Sequence, residues 1–346
     1  MPAPISSVCL STARRHWMIS ALAAPSLGLL GCSTAALTLQ ERASTLRHPW
    51  QMPGVHSFDM PATPLPGSSS TRQHRVMVYV PQGPAPQTGW PVIYVLDGNL
   101  MFAPLAQLIH NRGARGVETR GPSAIVVGLS HALPVDSVEV HDRAARTYDY
   151  TPPFDGVAPD SQGRAQGGAD AFLDWMFGQL QPRLQAQLPI NPQQRTLVGH
   201  SYGGLCTLHT LFTRPAMFQR YVAASPSLWW GNGMLLDEAV QFMRRHHASP
   251  LPHKVNVYVS QGSLEMGQPR GPQPRAAVQA EREASARKAQ QRAQQHGLHS
   301  LAELSQALNS MDQLSSQHDV WPGANHGGTQ MFACMQAARI GIFSEL

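Results

Sequence analysis

The apolar residues of this chain gather in short continuous runs that are separated by longer, mixed segments. Continuous runs of this kind are typical of strands buried on both faces, as in a parallel sheet covered by helices. Four of them stand out, at residues 91–96, 123–129, 196–198 and 254–260, and a weaker fifth lies at 313–320. These runs predict the strands of a mostly parallel sheet.

Two earlier segments, near residues 56–63 and 72–80, have β-rich character, and we interpret them as an antiparallel entry to the same sheet. Residues 169–187 carry apolar side chains at spacings of three and four. That spacing predicts a helix, which Pro182 kinks or ends early. Strands that alternate with helices predict an α/β fold with helices on both faces of the sheet.

Residues 266–312 differ from the rest because they are rich in Gln, Ala, Arg and Glu. Three prolines near their start predict a loop, which is followed by an exposed helix near 276–295 and a second helix near 300–310. We expect the charges of these helices to be solvated rather than to bind a ligand. A last helix is predicted at 331–343.

The amino-terminal residues resemble an export signal. Arg14 and Arg15 precede an apolar stretch at 17–30, and Leu-Leu-Gly-Cys ends the segment at Cys32. This order is typical of secretion signals, and its last four residues resemble a lipobox, in which the Cys receives lipid. We therefore expect an exported, periplasmic protein that a lipid anchor at Cys32 attaches to a membrane; an ordinary signal peptide with a chance Cys is the alternative. The expected organisation is a signal at 1–32, a tether at 33–52 and an α/β domain at 53–346, with a helical insertion at 266–312.

Composition and charge narrow the function classes. The 346 residues are 42% hydrophobic and 14% charged, which is ordinary for a globular protein. The formal charge is +5, but the basic residues are scattered, so we expect no nucleic-acid partner. Neither a zinc-type Cys pair nor an HExxH motif occurs, and we expect neither a metal nor a cofactor. We also expect the protein to be a monomer. Cys206 and Cys334 are expected to be buried free thiols, with a disulfide as the alternative.

The segment Gly199-His200-Ser201-Tyr202-Gly203 fits the G-x-S-x-G pattern of a nucleophile elbow. It follows an apolar strand and precedes a helix-like segment, as such an elbow requires. The flanking glycines permit a sharp turn that lifts the hydroxyl above the sheet and leaves backbone N–H groups behind it. We predict that Ser201 is a nucleophile; a Ser that merely caps a helix is the alternative.

A serine nucleophile needs a base and, in this type of fold, an acid that lies between the two in the chain. His326 lies in a Gly-rich loop after the last predicted strand and is the predicted base, with His318 and His299 as competing candidates. Glu265 comes soon after the strand predicted at 254–260 and is the predicted acid that orients the imidazole. Asp319, and a Ser–His dyad that works without an acid, are the alternatives.

An oxyanion formed during acyl transfer needs two N–H donors. One is predicted to be the backbone N–H of Tyr202, the residue after the nucleophile. The other is predicted to be the N–H of Gly98 or Asn99, in the loop after the strand at 91–96. The alternative is that Asp97-Gly98 simply forms a turn.

Five blocks of sequence extend this interpretation beyond the elbow. They lie at residues 90–99, 148–153, 167–172, 199–205 and 225–230. Together they resemble the esterases that hydrolyse trilactone siderophores, namely the periplasmic enterobactin and salmochelin esterases and their relatives, over most of residues 55–346. The resemblance implies an α/β-hydrolase fold and a Ser201–His326 esterase that acts on a small ester, a catecholate siderophore in its ferric form among the candidates.

The resemblance also implies a set of substrate contacts. Ferric catecholates are anionic, so Arg143 and Arg146 are candidates to lie beside the site, and Trp229 and Trp230 are candidates to line the pocket. Solvation of the arginines and packing of the tryptophans in the core are the alternatives. The family pattern at the acid is Gly-Glu-Leu-Glu, whereas this chain reads Gly-Ser-Leu-Glu and keeps only Glu265.

Two other functions stay open at this point. A general carboxylesterase or acyltransferase of the same fold would need the same three catalytic residues. A lipid-anchored binding protein that catalyses nothing would need none of them, and the presence of all three argues against it.

Overall fold

The computed structural model describes residues 52–113, 123–134, 137, 139–266 and 276–342. The predicted leader with Cys32, and the tether except for its last residue, lie outside the described residues. Among the helices in the described ranges, none is both long and apolar enough to cross a membrane.

A single sheet of eight strands forms the centre of the described chain, in the order β1-β2-β4-β3-β5-β6-β7-β8. The first two strands pair antiparallel with each other, and β2 pairs antiparallel with β4. The remaining neighbours are parallel, as the continuous apolar runs predicted. The strands are β1 Val55–Ala62, β2 Arg72–Tyr79, β3 Trp90–Val95, β4 Ile125–His131, β5 Ile190–His200, β6 Arg220–Ala224, β7 Val255–Gly262 and β8 Leu314–Trp321.

Helices cover both faces of this sheet. Alternate residues of β3 enter two different buried clusters, with Val92 and Tyr94 in one and Ile93 and Val95 in the other. Helices α1 and α9 pack on the second face, and α3, α5, α6 and α8 pack on the first. The helices are α1 Gly98–Gly113, α2 Arg143–Tyr150, α3 Ala169–Trp175, α4 Gln181–Gln187, α5 Tyr202–Thr213, α6 Met234–Ala248, α7 Ala276–His296, α8 Leu301–Asn309 and α9 Thr329–Ile340.

The helix predicted at 169–187 is broken in the middle. A π-helical turn, Met176–Leu180, separates α3 from α4. Pro182 stands in the first turn of α4, directly after the π-helical turn. The irregularity that Pro182 predicts therefore lies just before the proline.

Three elements that position the site were not predicted from the sequence pattern. Strand β6 is only five residues long and begins with a buried Arg220. Helix α1 begins at Gly98, directly where a loop was expected, and contains Pro104. Helix α6 begins after Gly233, without a side-chain cap. Short length and missing caps weaken the local signals by which such elements are found.

Candidate active site

Three neighbouring parallel strands are each followed by a residue other than Gly with a positive φ angle. Asp97 after β3, Ser201 after β5 and Ser225 after β6 have φ angles of 54°, 59° and 43°. Such left-handed geometry is uncommon outside Gly and is concentrated at functional sites. Because the carboxyl ends of parallel strands meet at one edge of a sheet, the three residues mark that edge as the candidate site.

Ser201 forms the sharp turn between β5 and α5. A side chain at Gly199 would collide with the backbone of Gly203, so the elbow can close only with Gly at this position. The Ser201 N–H donates to the carbonyl of Ala224 at 3.0 Å, which ties the turn to β6. The predicted elbow is therefore present in strand–turn–helix context.

The structure brings the three predicted catalytic side chains into one row. Ser201 Oγ lies 3.0 Å from His326 Nε2, and His326 Nδ1 lies 2.6 Å from Glu265 Oε2. The hydroxyl of Ser227 lies 3.4 Å from the Ser201 hydroxyl. This spacing allows a proton to pass from Ser201 to His326 while Glu265 fixes the ring.

The competing candidates lie elsewhere. His318 and Asp319 belong to β8, as predicted, and the Asp319 carboxylate accepts a hydrogen bond of 2.7 Å from Tyr258. His299 stands between α7 and α8, where its backbone N–H donates to Glu303. None of these residues contacts Ser201 in the described part of the chain.

Glu265 is held as a charged acceptor. Its Oε1 atom accepts hydrogen bonds from the Ser225 hydroxyl at 2.6 Å and from the Gly262 N–H at 2.7 Å. Burial alone would raise the pKa of Glu265, but the hydrogen bonds from His326, Ser225 and Gly262 outweigh it and lower the pKa below its usual value. The carboxylate is therefore ionised where it meets the imidazole.

The loop that carries His326 is fixed through the backbone carbonyl of His326. That oxygen accepts from His200 Nε2 at 2.6 Å and from the Thr329 hydroxyl at 2.7 Å. Burial, together with the nearby His326, lowers the pKa of His200 to about 4. His200 is thus neutral at ordinary pH, with its proton on the nitrogen that faces the carbonyl.

The predicted oxyanion donors stand at two helix N-termini. Tyr202 opens α5, and Gly98 and Asn99 open α1, so their N–H groups have no acceptor within the helix. A Cβ at Gly98 would stand 2.9 Å from the backbone of Gly128, in β4. Packing against the sheet, rather than approach to a ligand, therefore explains the glycine.

The two predicted substrate-binding arginines have different surroundings. Arg146 donates to both carboxylate oxygens of the buried Asp97, at 2.6 and 2.7 Å, and to the His200 carbonyl at 3.3 Å. Burial would raise the pKa of Asp97, but Arg146 outweighs it and lowers the pKa. Arg143 is exposed and lies 3.4 Å from Glu139. The contacts of Arg146 favour a supporting role over the predicted substrate contact, because they join the Asp97 turn to the elbow.

The two tryptophans also differ. Trp230 is 3% exposed, and its indole N–H donates to Gln166 at 2.6 Å, so most of the ring belongs to the core. Trp229 is partly exposed, and its ring centroid lies 6.2 Å from that of Tyr202. Of this pair, Trp229 is thus the one whose ring faces that of Tyr202, the residue after Ser201.

A buried cluster of His74, His131 and Asp149 brings metal-ligand atom types within 4.8 Å of one another. Arg72 donates to both oxygens of Asp149, at 2.6 and 2.7 Å, and His131 Nε2 lies 2.9 Å from the same carboxylate. A guanidinium in bidentate contact neutralises Asp149 and would repel a cation. The contacts of this cluster are therefore those of a buried carboxylate that is paired with an arginine and a histidine.

The two described cysteines, Cys206 and Cys334, are free and buried, as expected. Burial raises the pKa of the Cys334 thiol to about 12 and raises that of Cys206 as well. Both thiols are accordingly protonated and form part of the packing.

Comparison with known sequences agrees with the resemblance. The family model described as "Putative esterase" matches residues 67–315. The chain is 37% identical to the siderophore triacetylfusarinine C esterase of Aspergillus fumigatus, over 52% of this chain and 58% of that one. It is 30% identical to the ferri-bacillibactin esterase BesA of Bacillus subtilis, over 61% of this chain and 73% of that one. The match to the fungal protein thus spans less than two thirds of its length.

Solved structures share the architecture over nearly their whole length. The crystal structure of the BES protein from Bacillus cereus has a TM-score of 0.66 and 26% identity, and covers 86% of this chain and 98% of its own. The siderophore hydrolase EstB from Aspergillus nidulans has a TM-score of 0.63 and 25% identity, and covers 85% and 97%. These likenesses and the mostly parallel sheet confirm the predicted α/β-hydrolase fold. The chain belongs to the esterase family.

Proposed function

We propose that this protein is a serine esterase that cleaves ester bonds of a siderophore through an acyl-enzyme. The observation that carries the proposal is the row of Ser201, His326 and Glu265, with 3.0 and 2.6 Å between successive groups. It stands at the carboxyl edge of the sheet, in a chain of the esterase family.

The first half of the reaction forms the acyl-enzyme. His326 Nε2 accepts the Ser201 proton as Oγ attacks the ester carbonyl carbon, and Glu265 stabilises the imidazolium. The N–H of Tyr202 and that of Gly98 or Asn99 hold the oxyanion. The tetrahedral intermediate then expels the alcohol, which takes its proton from His326.

The second half releases the acid. Water gives a proton to His326 Nε2 as its oxygen attacks the acyl carbon. The second tetrahedral intermediate returns the electron pair to Ser201 Oγ, which regains its proton from His326. One water is consumed, and one carboxylic acid and one alcohol are formed for each ester bond.

The relatives support the substrate class. The proteins of Aspergillus fumigatus and Bacillus subtilis that this chain resembles are named as esterases of siderophores, as are the enterobactin esterase of Emericella nidulans and the apo-salmochelin esterase of Escherichia coli. We extend this to a trilactone catecholate siderophore, which is the substrate that the sequence blocks imply. The export signal and the lipid anchor at Cys32 belong to the same proposal, because they would place the enzyme where imported siderophores arrive.

The test compares the purified protein with its Ser201→Ala variant. Each is treated with a fluorophosphonate, with a tricatechol trilactone in ferric and iron-free forms, and with p-nitrophenyl butyrate, and the products are identified by mass. We expect the wild type alone to be labelled at Ser201 and to yield linear or shortened catechol chains.

Two outcomes would change the proposal. Butyrate cleavage without any cleavage of the trilactone would keep the serine esterase and remove the siderophore. A folded wild type that is not labelled and cleaves neither ester would favour the non-catalytic binding protein.

A further inference from the structure

Helix α7 is docked on the segment that directly follows Trp229. The Ser285 hydroxyl on α7 donates to the carbonyl of Trp229 at 2.5 Å. The oxygen of the Ser285 hydroxyl also accepts a hydrogen bond from the N–H of Asn232, at 2.9 Å. One serine therefore fixes the helix against both ends of this short segment.

Two further contacts hold the same helix. A Cβ at Gly233 would stand 2.7 Å from Ala289, so α7 approaches this backbone as closely as only glycine permits. Nearer the carboxyl end of α7, His296 lies 2.6 Å from Asp237, which also pairs with Arg292. With three anchoring points, the side chains on this face of α7 have defined positions relative to the candidate site.

Arg282 is the residue that α7 brings to the site. Its guanidinium carbon lies 5.4 Å from the centroid of the Trp229 ring, and that ring lies 6.2 Å from the Tyr202 ring. Tyr202 follows the nucleophile directly. Two cavities, of about 310 and 260 Å³, both have Trp229 and residues of α7 in their walls, so Trp229 and α7 together border open space.

Charge pairing separates Arg282 from the other cations near the site. Arg146 is paired with Asp97, and Arg164 is paired with Asp160 at 2.6 Å. Arg282 is exposed and has no carboxylate within ion-pair distance in the part of the chain that the structure describes. Burial raises the pKa of the Tyr202 hydroxyl, and the charge of Arg282 acts in the opposite direction, which is consistent with its facing the site.

We propose that α7 forms one wall of the substrate pocket and that Arg282 determines specificity there by binding an anionic aromatic group of the substrate. The indole of Trp229 offers a stacking face, and the guanidinium on it offers charge and planar donors. A metal-bound catecholate presents both features. This inference rests on the proposed function, since it assumes that the substrate binds beside Ser201.

The test measures binding in a protein that cannot turn over its ligand. Ser201→Ala and Ser201→Ala/Arg282→Gln are titrated with the same tricatechol trilactone in its anionic ferric form and in its uncharged iron-free form, and tryptophan fluorescence is followed. We expect Arg282→Gln to weaken binding of the ferric form about tenfold, which corresponds to about 1.4 kcal/mol, and to change the iron-free form far less. Arg282→Lys should retain most of the preference because it keeps the charge.

Arg287 provides a matched control. It is an exposed arginine on the same helix, and five residues at about 3.6 per turn place it roughly 140° away from Arg282. Ser201→Ala/Arg287→Gln should bind both forms as Ser201→Ala does. Thermal unfolding of each variant shows whether it is folded.

The outcomes separate this inference from the function on which it rests. If both forms bind but Arg282→Gln weakens them equally, or if Arg287→Gln causes the same loss, the role of Arg282 is overturned and the esterase stands. If the Ser201→Ala protein binds neither form, the siderophore itself is removed as substrate and the inference is overturned with it.

Discussion

The row of Ser201, His326 and Glu265 and the two ion pairs of helix α2 are polar structures of different kinds. In the row, the side chain of His326 is 52% exposed and that of Glu265 is 20% exposed. In the ion pairs, Asp97 and Asp149 are each 2% exposed. Each of these aspartates has a bidentate arginine partner, and α2 contributes Arg146 to one pair and Asp149 to the other.

The difference follows from what each charge has to do. A proton-transferring imidazole must change its charge and admit a substrate, so it needs access and only a few fixed partners. A buried carboxylate is stable only if it is permanently paired, so it fixes the groups around it. Substitutions in the row should therefore change the rate more than the stability, and substitutions in the ion pairs should do the reverse.

Replacement of Glu265 by Gln should produce the largest effect. The amide can still accept from Ser225 and Gly262, but it cannot stabilise the imidazolium by charge. We expect kcat/KM for p-nitrophenyl butyrate to fall by about 10²- to 10⁴-fold, with little change in melting temperature. Steady-state kinetics and thermal unfolding measure the two quantities.

Asp319→Asn is the control for this substitution, because Asp319 is the other acid near His326 in sequence and its partner is Tyr258. We expect it to leave kcat/KM within about twofold of the wild type. If Glu265→Gln were equally mild, a Ser–His dyad would replace the triad; if Asp319→Asn were the severe variant, the acid would be misassigned.

Arg146→Met should have the next largest effect, and on stability. The substitution leaves the Asp97 carboxylate buried without its partner, which typically costs about 3–5 kcal/mol in the free energy of unfolding. Urea-induced unfolding measures this loss, and adding Asp97→Asn to the variant should recover part of it. Arg143→Met, an exposed change on the same helix, should stay within about 0.5 kcal/mol of the wild type.

Unfolding and steady-state kinetics of Arg146→Met together decide between two roles of Arg146. If Arg146→Met left the stability unchanged and instead raised KM for anionic substrates, Arg146 would contact the substrate, as the family resemblance implies. The comparison between the two regions would then fail at this residue.

The row of Ser201, His326 and Glu265 could be predicted because its signals are local. The elbow motif occupies five consecutive residues. Glu265 and His326 each follow a strand that is predicted from the apolar run of that strand. The order of the residues along the chain then fixes their roles in this fold. Nothing in that inference depends on which distant segments touch.

The ion pairs and the docking of α7 could not be predicted in this way. Arg146 and Asp97 are 49 positions apart, and Arg72 and Asp149 are 77 apart. Which acid meets which arginine depends on strand order, and that order has β4 on one side of β3 and β5 on the other. The charges on α7 likewise suggested solvation, because the stacking of Arg282 on Trp229 exists only after folding.

A pH experiment tests whether a third buried charge behaves like the ion pairs. His209 on α5 lies 2.9 Å from Glu238 on α6 and 3.2 Å from Asp170 on α3, and its side chain is 2% exposed. Burial alone would lower the pKa of His209, but the two carboxylates raise it from 6.5 to about 9. Because the folded pKa lies above the unfolded one, the stabilisation is complete below pH 6.5 and is lost as the pH rises through 9.

The expected loss over that interval is roughly 3 kcal/mol, since one pKa unit corresponds to about 1.4 kcal/mol. It is measured as the difference in unfolding free energy between the wild type and His209→Gln at pH 6, 7.5 and 9. The difference should shrink as the pH rises, because the wild type alone has a proton to lose at this position. A difference that stays constant with pH would mean that His209 is neutral in the folded protein, and its carboxylate neighbours would then be held by other means than charge.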